Sequence, residues 1–219
     1  MRFKDRIDAG RQLAGVLRGS GITDAVVYAL PRGGVVLGAV IANALGAPLD
    51  LVITRKIGHP SFPEYAIGAV AEDGRLVFDE AELESVDPLW LQERVKAELQ
   101  EARRRRERYL AGRAPRDADG KVAIITDDGV ATGLTLRAAI KEVKRRRPRR
   151  IIVAVPVIPK EVAEIIREEV DELISLHTPA FYLGAVGAYY NDFTPVEDDE
   201  VVRLLDRAQP VVSEVSPRV

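Results

Sequence analysis

Short uninterrupted apolar runs recur along this chain, and most lead into stretches whose apolar positions fall at helical spacing. AVVYAL (25–30) enters Pro31-Arg32-Gly33-Gly34 and then VVLGAVIANALG (35–46). LDLVIT (49–54), VAIIT (122–126) and IIVAVPV (151–157) follow, the last two leading into helical stretches over 133–147 and 159–169, and LISL (173–176) reads as a fifth strand. A strand that is apolar on both sides must be covered on both faces. The pattern therefore predicts an α/β chain with a mainly parallel sheet between two helical layers, its ligands at the C-terminal ends of the strands. Ile7, Leu13, Val16 and Leu17 add a leading amphipathic helix over 4–19, ended by Gly19-Ser20-Gly21.

Two segments break this rhythm. AIGAV and RLVFD flank Glu72-Asp73-Gly74 as an antiparallel hairpin, and residues 87–110 read as a long, strongly charged helix. Together they form an insertion over about 66–112. After His177 the chain is rich in aromatics and acids, with a short helix around 197–208 and then a frayed tail. No internal repeat interrupts what reads as one domain over 1–219, with a core over about 20–178 and a C-terminal section over about 179–210.

Composition removes several classes of chemistry. The 32 Lys and Arg nearly cancel the 34 Asp and Glu, leaving a net charge of −2 and no whole-molecule attraction to nucleic acid or anionic lipid. With no cysteine and only His59 and His177, thiol chemistry and a His-rich zinc site are excluded. No apolar run approaches the roughly 18 residues of a membrane span, and the opening segment lacks the apolar stretch of a signal peptide, so a cytoplasmic location is expected. Arg outnumbers Lys 25 to 7 and Asn, Gln and Met are scarce, which suits a thermophile's protein with surface ion pairs, although codon bias explains the Arg excess equally well.

The most informative stretch is IITDDGVATGLT (124–135). A buried strand delivers Asp127 and Asp128 to its end, and a turn with Gly129, Thr132, Gly133 and Thr135 then opens a helix. Backbone N–H groups at such a turn suit an anion, and the two hydroxyls add donors. The carboxylates suit neighbouring hydroxyls or a screening cation. A phosphate a few ångströms from a vicinal diol satisfies both halves, as in a ribose 5-phosphate. No Lys follows Gly133, so a Walker A loop is not an alternative.

This stretch closely resembles the phosphoribosyl pyrophosphate (PRPP) motif of the type I phosphoribosyltransferases, and the order of elements resembles that family over roughly 20–195. The resemblance implies that family's three-layer fold, with the C-terminal section as a small hood. It also implies a reaction in which ribose 5-phosphate passes from Mg-PRPP to a nitrogen acceptor with release of pyrophosphate. Asp127 and Asp128 are then expected to hold the ribose hydroxyls, directly or through Mg²⁺, while Gly129, Val130, Ala131, Thr132, Gly133, Leu134 and Thr135 hold the 5-phosphate. Arg32, Gly33 and Gly34 fall where the family keeps its pyrophosphate loop, which often carries a cis peptide. Residues 55–65, with Arg55, Lys56, His59 and Tyr65, resemble its mobile catalytic loop, Arg55 and Lys56 being set to neutralise pyrophosphate. Arg32, Lys56, Asp127 and Asp128 are the expected catalytic set.

The aromatic segment 181–193 falls where the hood covers the acceptor, and either stacks a planar heterocycle or fills a minor core. Ala131 stands where enzymes for 6-oxopurines carry an Asp, so a different nitrogenous acceptor is expected. The basic runs at 103–108 and 144–150 read as solvated, ion-paired helix faces. The expected partners are PRPP and a small acceptor, with a homodimer left open, and neither nucleic acid nor membrane. The alternatives are a PRPP- or nucleotide-sensing RNA-binding regulator, or a hydrolase acting on a phosphoribosyl compound.

Overall fold

The computed structural model describes residues 2–208, so the expected tail and the last two residues of the C-terminal section lie outside the described residues. The chain runs α1 (Arg6–Gly19), β1 (Ala25–Ala29), α2 (Gly34–Leu45), β2 (Leu49–Leu51), β3 (Thr54–Gly58), β4 (Ala66–Ala71), β5 (Leu76–Phe78), α3 (Glu80–Leu83) and α4 (Pro88–Leu110). It continues through β6 (Val122–Thr126), α5 (Leu134–Arg145), β7 (Arg150–Val157), α6 (Lys160–Glu169), β8 (Glu172–His177), a 3₁₀ turn (Val186–Tyr189) and α7 (Asp198–Arg207). Helix boundaries follow local chemistry. The Asp5 carboxylate accepts the Asp8 N–H at 2.7 Å to start α1, and Asp87 accepts the Trp90 N–H at 2.8 Å with Pro88 at the first position of α4.

Five strands form a parallel sheet in the order β2-β1-β6-β7-β8. Successive side chains point to opposite faces, which divides the core in two. Val27, Ala29, Ile124 and Ile152 pack with Leu13 and Leu17 of α1, Leu37 and Ile41 of α2, and Val201 and Leu205 of α7. Val26, Tyr28, Ile125 and Val153 pack with Ile140 and Val143 of α5 and Ile166 of α6. This is the expected three-layer α/β fold. No helix among the described residues is long and apolar enough to cross a membrane.

The insertion differs from the sequence expectation. The run 49–54 is not one strand, because pairing with β1 ends at Leu51 and the chain crosses at Val52-Ile53 into a second, antiparallel sheet of order β3-β4-β5. The hairpin at 66–78 supplies an edge with which residues 54–58 pair. Arg55 and Lys56 therefore lie in β3, and the loop shrinks to 59–65. The breakers Pro60 and Pro63 act only there, and Gly58 closes the strand against Pro63. On one face of the small sheet Ala69, Ala71 and Val77 meet Leu134 and Ala138 of α5. On the other, Ile57, Ile67 and Val70 meet Trp90, Leu91 and Val95 of α4. The short α3 has no counterpart in the sequence expectation.

Candidate active site

Three loops meet beyond the C-terminal ends of β1 and β6. They are the turn 31–34, the turn 127–133 and the hairpin tip 59–65 between β3 and β4. A cleft of about 390 Å³ opens between the second and third of these, and none of residues 31–34 lines it. Asp127, Gly129, Val130, Ala131, Thr132, Gly133 and Thr135 form one side, Lys56, Glu64 and Tyr65 another, and Gly184 and Val186 of the hood segment a third.

The turn after β6 is built for an anion. Gly133 has φ +79°, and a Cβ there would stand 2.6 Å from Val162 Cγ1, so only glycine lets the chain turn into α5 against α6. The first N–H groups of α5 lack intrahelical acceptors by helix geometry, and Thr132 and Thr135 line the cleft beside them. Of the expected phosphate set, Leu134 packs against the small sheet, and Val130 packs into the core beneath α5 and α6 with its N–H donated to the Val157 carbonyl at 2.9 Å.

The two acids are hydrogen-bonded neighbours that perturb each other. Asp127 Oδ1 accepts the Asp128 N–H at 2.8 Å, and Asp127 lines the cleft. Burial first, and then the charge of Asp128, hold its pKa well above the ordinary carboxylate range. Burial also raises the pKa of Asp128, opposed by Arg6. Arg6 Nε donates to Asp128 Oδ2 at 2.7 Å, and Asp128 is not among the cleft-lining residues. Arg6 Nη1 also donates to the Thr194 carbonyl at 2.8 Å, and its guanidinium lies 3.8 Å above the Phe193 ring. The Tyr190 hydroxyl donates to the Asp128 carbonyl at 2.6 Å.

The turn after β1 packs directly on these acids. A Cβ on Gly33 would fall 1.8 Å from Asp128 Oδ2, and one on Gly34 would fall 2.9 Å from Asp127 Cα. The Pro31–Arg32 peptide is cis. Arg32 does not line the cleft. Its Nη1 lies 3.6 Å from Asp198 and 3.8 Å from Glu197, at the N-terminus of α7. Asp198 is shared with Tyr109, whose hydroxyl donates at 2.6 Å, and with Arg108.

Other expected residues divide between the site and the scaffold. Lys56 reaches the cleft, where its ammonium donates to the Glu64 carbonyl and carboxylate. Arg55 turns the other way along the strand and pairs with the buried Glu98 of α4 at 2.8 Å. The Tyr65 hydroxyl donates to Glu82 at 2.9 Å beside the cleft, whereas His59 accepts the Ser61 N–H within its own loop. In the aromatic segment, Tyr189 and Tyr190 are buried in the main core and Phe181 is exposed, so the two tyrosines fill a core rather than line the cleft.

Sequence reasoning missed Arg6, which joins Asp128 across 122 positions and carries no local signal beyond its place in the first turn of α1. It also missed Glu64 as the acid partner of Lys56, and Glu197 and Asp198 as those of Arg32. The basic runs behave as expected. Arg104 and Arg105 pair with Glu101, Arg106 with Glu72, Arg145 with Asp73, Arg146 with Glu142, Arg147 with Asp119 and Arg150 with Glu172.

The phosphoribosyl transferase domain profile matches residues 3–191. Two Mycobacterium tuberculosis proteins named as candidate phosphoribosyl transferases, MT0597 (strain CDC 1551 / Oshkosh) and Rv0571c (strain ATCC 25618 / H37Rv), are each 40% identical over 208 residues. Those residues are 94% of this chain but 47% of either relative, so the chain spans about half the length of the curated relatives it matches. The crystal structure of TT1426 from Thermus thermophilus superposes with a TM-score of 0.78 at 41% identity, over 94% of this chain and 98% of that one. With the profile spanning nearly the whole chain and the PRPP-like turn at its cleft, this chain belongs to the phosphoribosyl transferase domain family.

Proposed function

We propose that the chain transfers a 5-phosphoribosyl group from Mg-PRPP to a nitrogen of a small heterocyclic acceptor. The bond from C1 of the ribose to the pyrophosphate oxygen breaks, and its electron pair leaves with pyrophosphate. The acceptor nitrogen then forms the new bond to C1 and loses its proton. The observation that carries this reading is one cleft that combines a helix-opening Gly/Thr turn, the Asp127 carboxyl and the Lys56 ammonium. The turn 129–135 suits the 5-phosphate, Asp127 suits the ribose hydroxyls, and Lys56 suits the departing charge once it leaves Glu64. Glycines 33 and 34 let the turn after β1 approach the acids closely enough to share the ligand. Arg32 could serve pyrophosphate only by turning away from Glu197 and Asp198.

Among the described residues no group of three or more acids or histidines is disposed to hold a metal ion. Mg²⁺ is therefore read as arriving with its phosphates as part of the substrate, with Asp127 the carboxylate open to meet it. The ion supplies charge neutralisation for the phosphates. The protein's own groups bind the two ends of the ligand, exclude water and orient C1.

RNA recognition through the basic runs is disfavoured, because most of their arginines already face an acid of the same chain. The test is a pyrophosphate-release screen with Mg-PRPP against a panel of purines, pyrimidines and other nitrogen heterocycles. Acceptor-dependent release supports the reading, and release that is independent of every acceptor shifts it to hydrolysis.

A further inference from the structure

A second cavity, of about 750 Å³ against about 390 Å³ for the cleft, lies at the other end of α5. Its walls are the C-terminal half of α4, the chain between α4 and β6, the end of α5 and the turn between β4 and β5, and it shares no residue with the cleft. Helix α5 has 12 residues, so its two ends stand about 18 Å apart.

Six arginines and six acids line this cavity, and their pairing leaves donors over. Arg106 gives Nη1 to Glu72 at 2.6 Å, while its Nη2 is buried with no hydrogen-bond partner. Arg146 gives Nη2 to Glu142 and lies 4.7 Å from the centre of the Tyr28 ring. Its Nη1 is buried without a hydrogen bond, 3.6 Å from Asp50 Oδ2. Buried donors left this way are costly and call for an acceptor. Glu72 and Glu142 also keep one buried, unpartnered oxygen each, in side chains 9% and 6% exposed. Burial and their mutual charge disfavour two carboxylates here, and one shared proton satisfies both oxygens. The lining then carries one net positive charge, and the unmet demand lies with the arginines. At the mouth Arg103 is exposed and makes no ion pair among the described residues, and the exposed Arg145 and Arg147 hold Asp73 and Asp119.

We propose that this cavity is a second ligand site, for a small molecule with at least two phosphoryl groups: one meets the inner nitrogens of Arg106 and Arg146, and another meets Arg103, Arg145 and Arg147 at the mouth. Guanidinium forks match phosphoryl oxygens in shape as well as charge. Both inner nitrogens are closed to bulk water, so side chains must shift to admit the ligand, and the exposed pairs at the mouth are the ones that yield. Glu107 and Asp117 also line the cavity and repel an anion away from the arginines, which fixes where the phosphoryl groups sit. The volume takes a ligand of nucleotide size. An inorganic polyphosphate and a nucleoside polyphosphate share the required chemistry. The proposal needs nothing from the phosphoribosyl reading of the cleft, and either can fail alone.

The experiment is isothermal titration of inorganic tripolyphosphate and of ADP, without Mg²⁺, into a Thr132→Val, Thr135→Val protein, which keeps the cleft from competing. In the same background, Arg103→Glu with Arg147→Glu reverses two charges at the mouth, and Arg104→Glu with Arg150→Glu reverses two outside the cavity. Thermal melting checks each fold. Saturable binding of at least one probe is expected, weakened by about tenfold or more in the mouth pair and held within about twofold in the outer pair. Hydrogen exchange of the wild type with that probe should slow at 103–107 and 142–147. Tighter binding of ADP assigns the ligand to the nucleotides, tighter tripolyphosphate assigns it to inorganic chains, and equal affinities assign recognition to the phosphoryl groups alone; each supports the site. Absence of saturable binding by both probes overturns the proposal, as do equal losses in the two charge-reversed pairs, the mark of unspecific attraction. Should the mouth pair fail to fold, unchanged exchange at 103–107 and 142–147 overturns it and slowed exchange there upholds it.

Discussion

The Lys56 ammonium donates to both the backbone carbonyl and the carboxylate of Glu64, at 3.0 and 3.1 Å, so strand β3 is fastened to the far end of the loop it opens. Glu64 is fully exposed, and such a partner is readily exchanged for a polyanion. The contact therefore ties the state of the 59–65 loop to whatever occupies the cleft. We expect Lys56→Met to lower kcat by about 10²-fold, the scale of a lost donor to developing charge, with ribose 5-phosphate affinity unchanged. Steady-state kinetics and calorimetry read the two effects separately. Hydrogen exchange should show amides 59–65 slowing when Mg-PRPP and acceptor are both bound.

Gly33 and Gly15 form a matched pair of tests. Adding a methyl at Gly33 sets it 1.8 Å from Asp128 Oδ2, so Gly33→Ala must push the turn off the acids, at a cost of about 1–3 kcal/mol for overpacking. Gly15 lies mid-helix in α1 with nothing within 4 Å of its missing Cβ, and Gly15→Ala should stabilise by up to about 1 kcal/mol. Calorimetric melting should move in opposite directions for the two variants, with Mg-PRPP binding lost only in the first.

Much of the scaffold was readable in advance because its signals are local. Each strand of the main sheet is a continuous apolar run, and the Gly/Thr turn after β6 is a contiguous motif whose chemistry does not depend on distant residues. What escaped depends on partners far away in sequence. Residues 54–58 become a strand only because the hairpin at 66–78 offers them an edge. Arg55 is taken by Glu98, 43 residues on, and Asp128 by Arg6, 122 residues back. Tyr189 and Tyr190 looked equally suited to stacking and to packing, and only the proximity of Phe3, His177 and Phe193 decides for packing.

The turn between β4 and β5 predicts a pH dependence of stability. Burial, and then the neighbouring charge of Glu142, raise the pKa of Glu72 from 4.5 to about 8, although Arg106 and Arg146 oppose them. Between those values the folded chain holds a proton that the unfolded chain has released. Stability from this group is therefore fully present below pH 4.5 and falls as pH rises toward 8, by at most about 1.4 kcal/mol per pH unit. Urea unfolding at pH 5, 7 and 9 should show a decline in the wild type that is shallower in Glu72→Gln by that increment.

Ala131 lines the cleft where enzymes for 6-oxopurines carry an Asp. A methyl group can neither accept a purine proton nor hydrogen-bond the base, and such assistance is worth about 10²–10⁴ in rate. Hypoxanthine and guanine should therefore be poor acceptors in the pyrophosphate-release screen. Turnover of either one as fast as the best acceptor would refute this specificity.

The central claim is that the turn at 129–135 holds the 5-phosphate of a phosphoribosyl ligand. It is tested most directly by titrating ribose 5-phosphate and Mg-PRPP into the wild type and a Thr132→Val, Thr135→Val double variant. Both threonines line the cleft, and each neutral donor contributes about 0.5–1.5 kcal/mol. The account predicts saturable binding of both ligands to the wild type and a loss of about tenfold or more for each in the double variant, whose melting stays near that of the wild type. Unchanged affinities in the folded double variant, or a wild type that binds neither ligand, would contradict it.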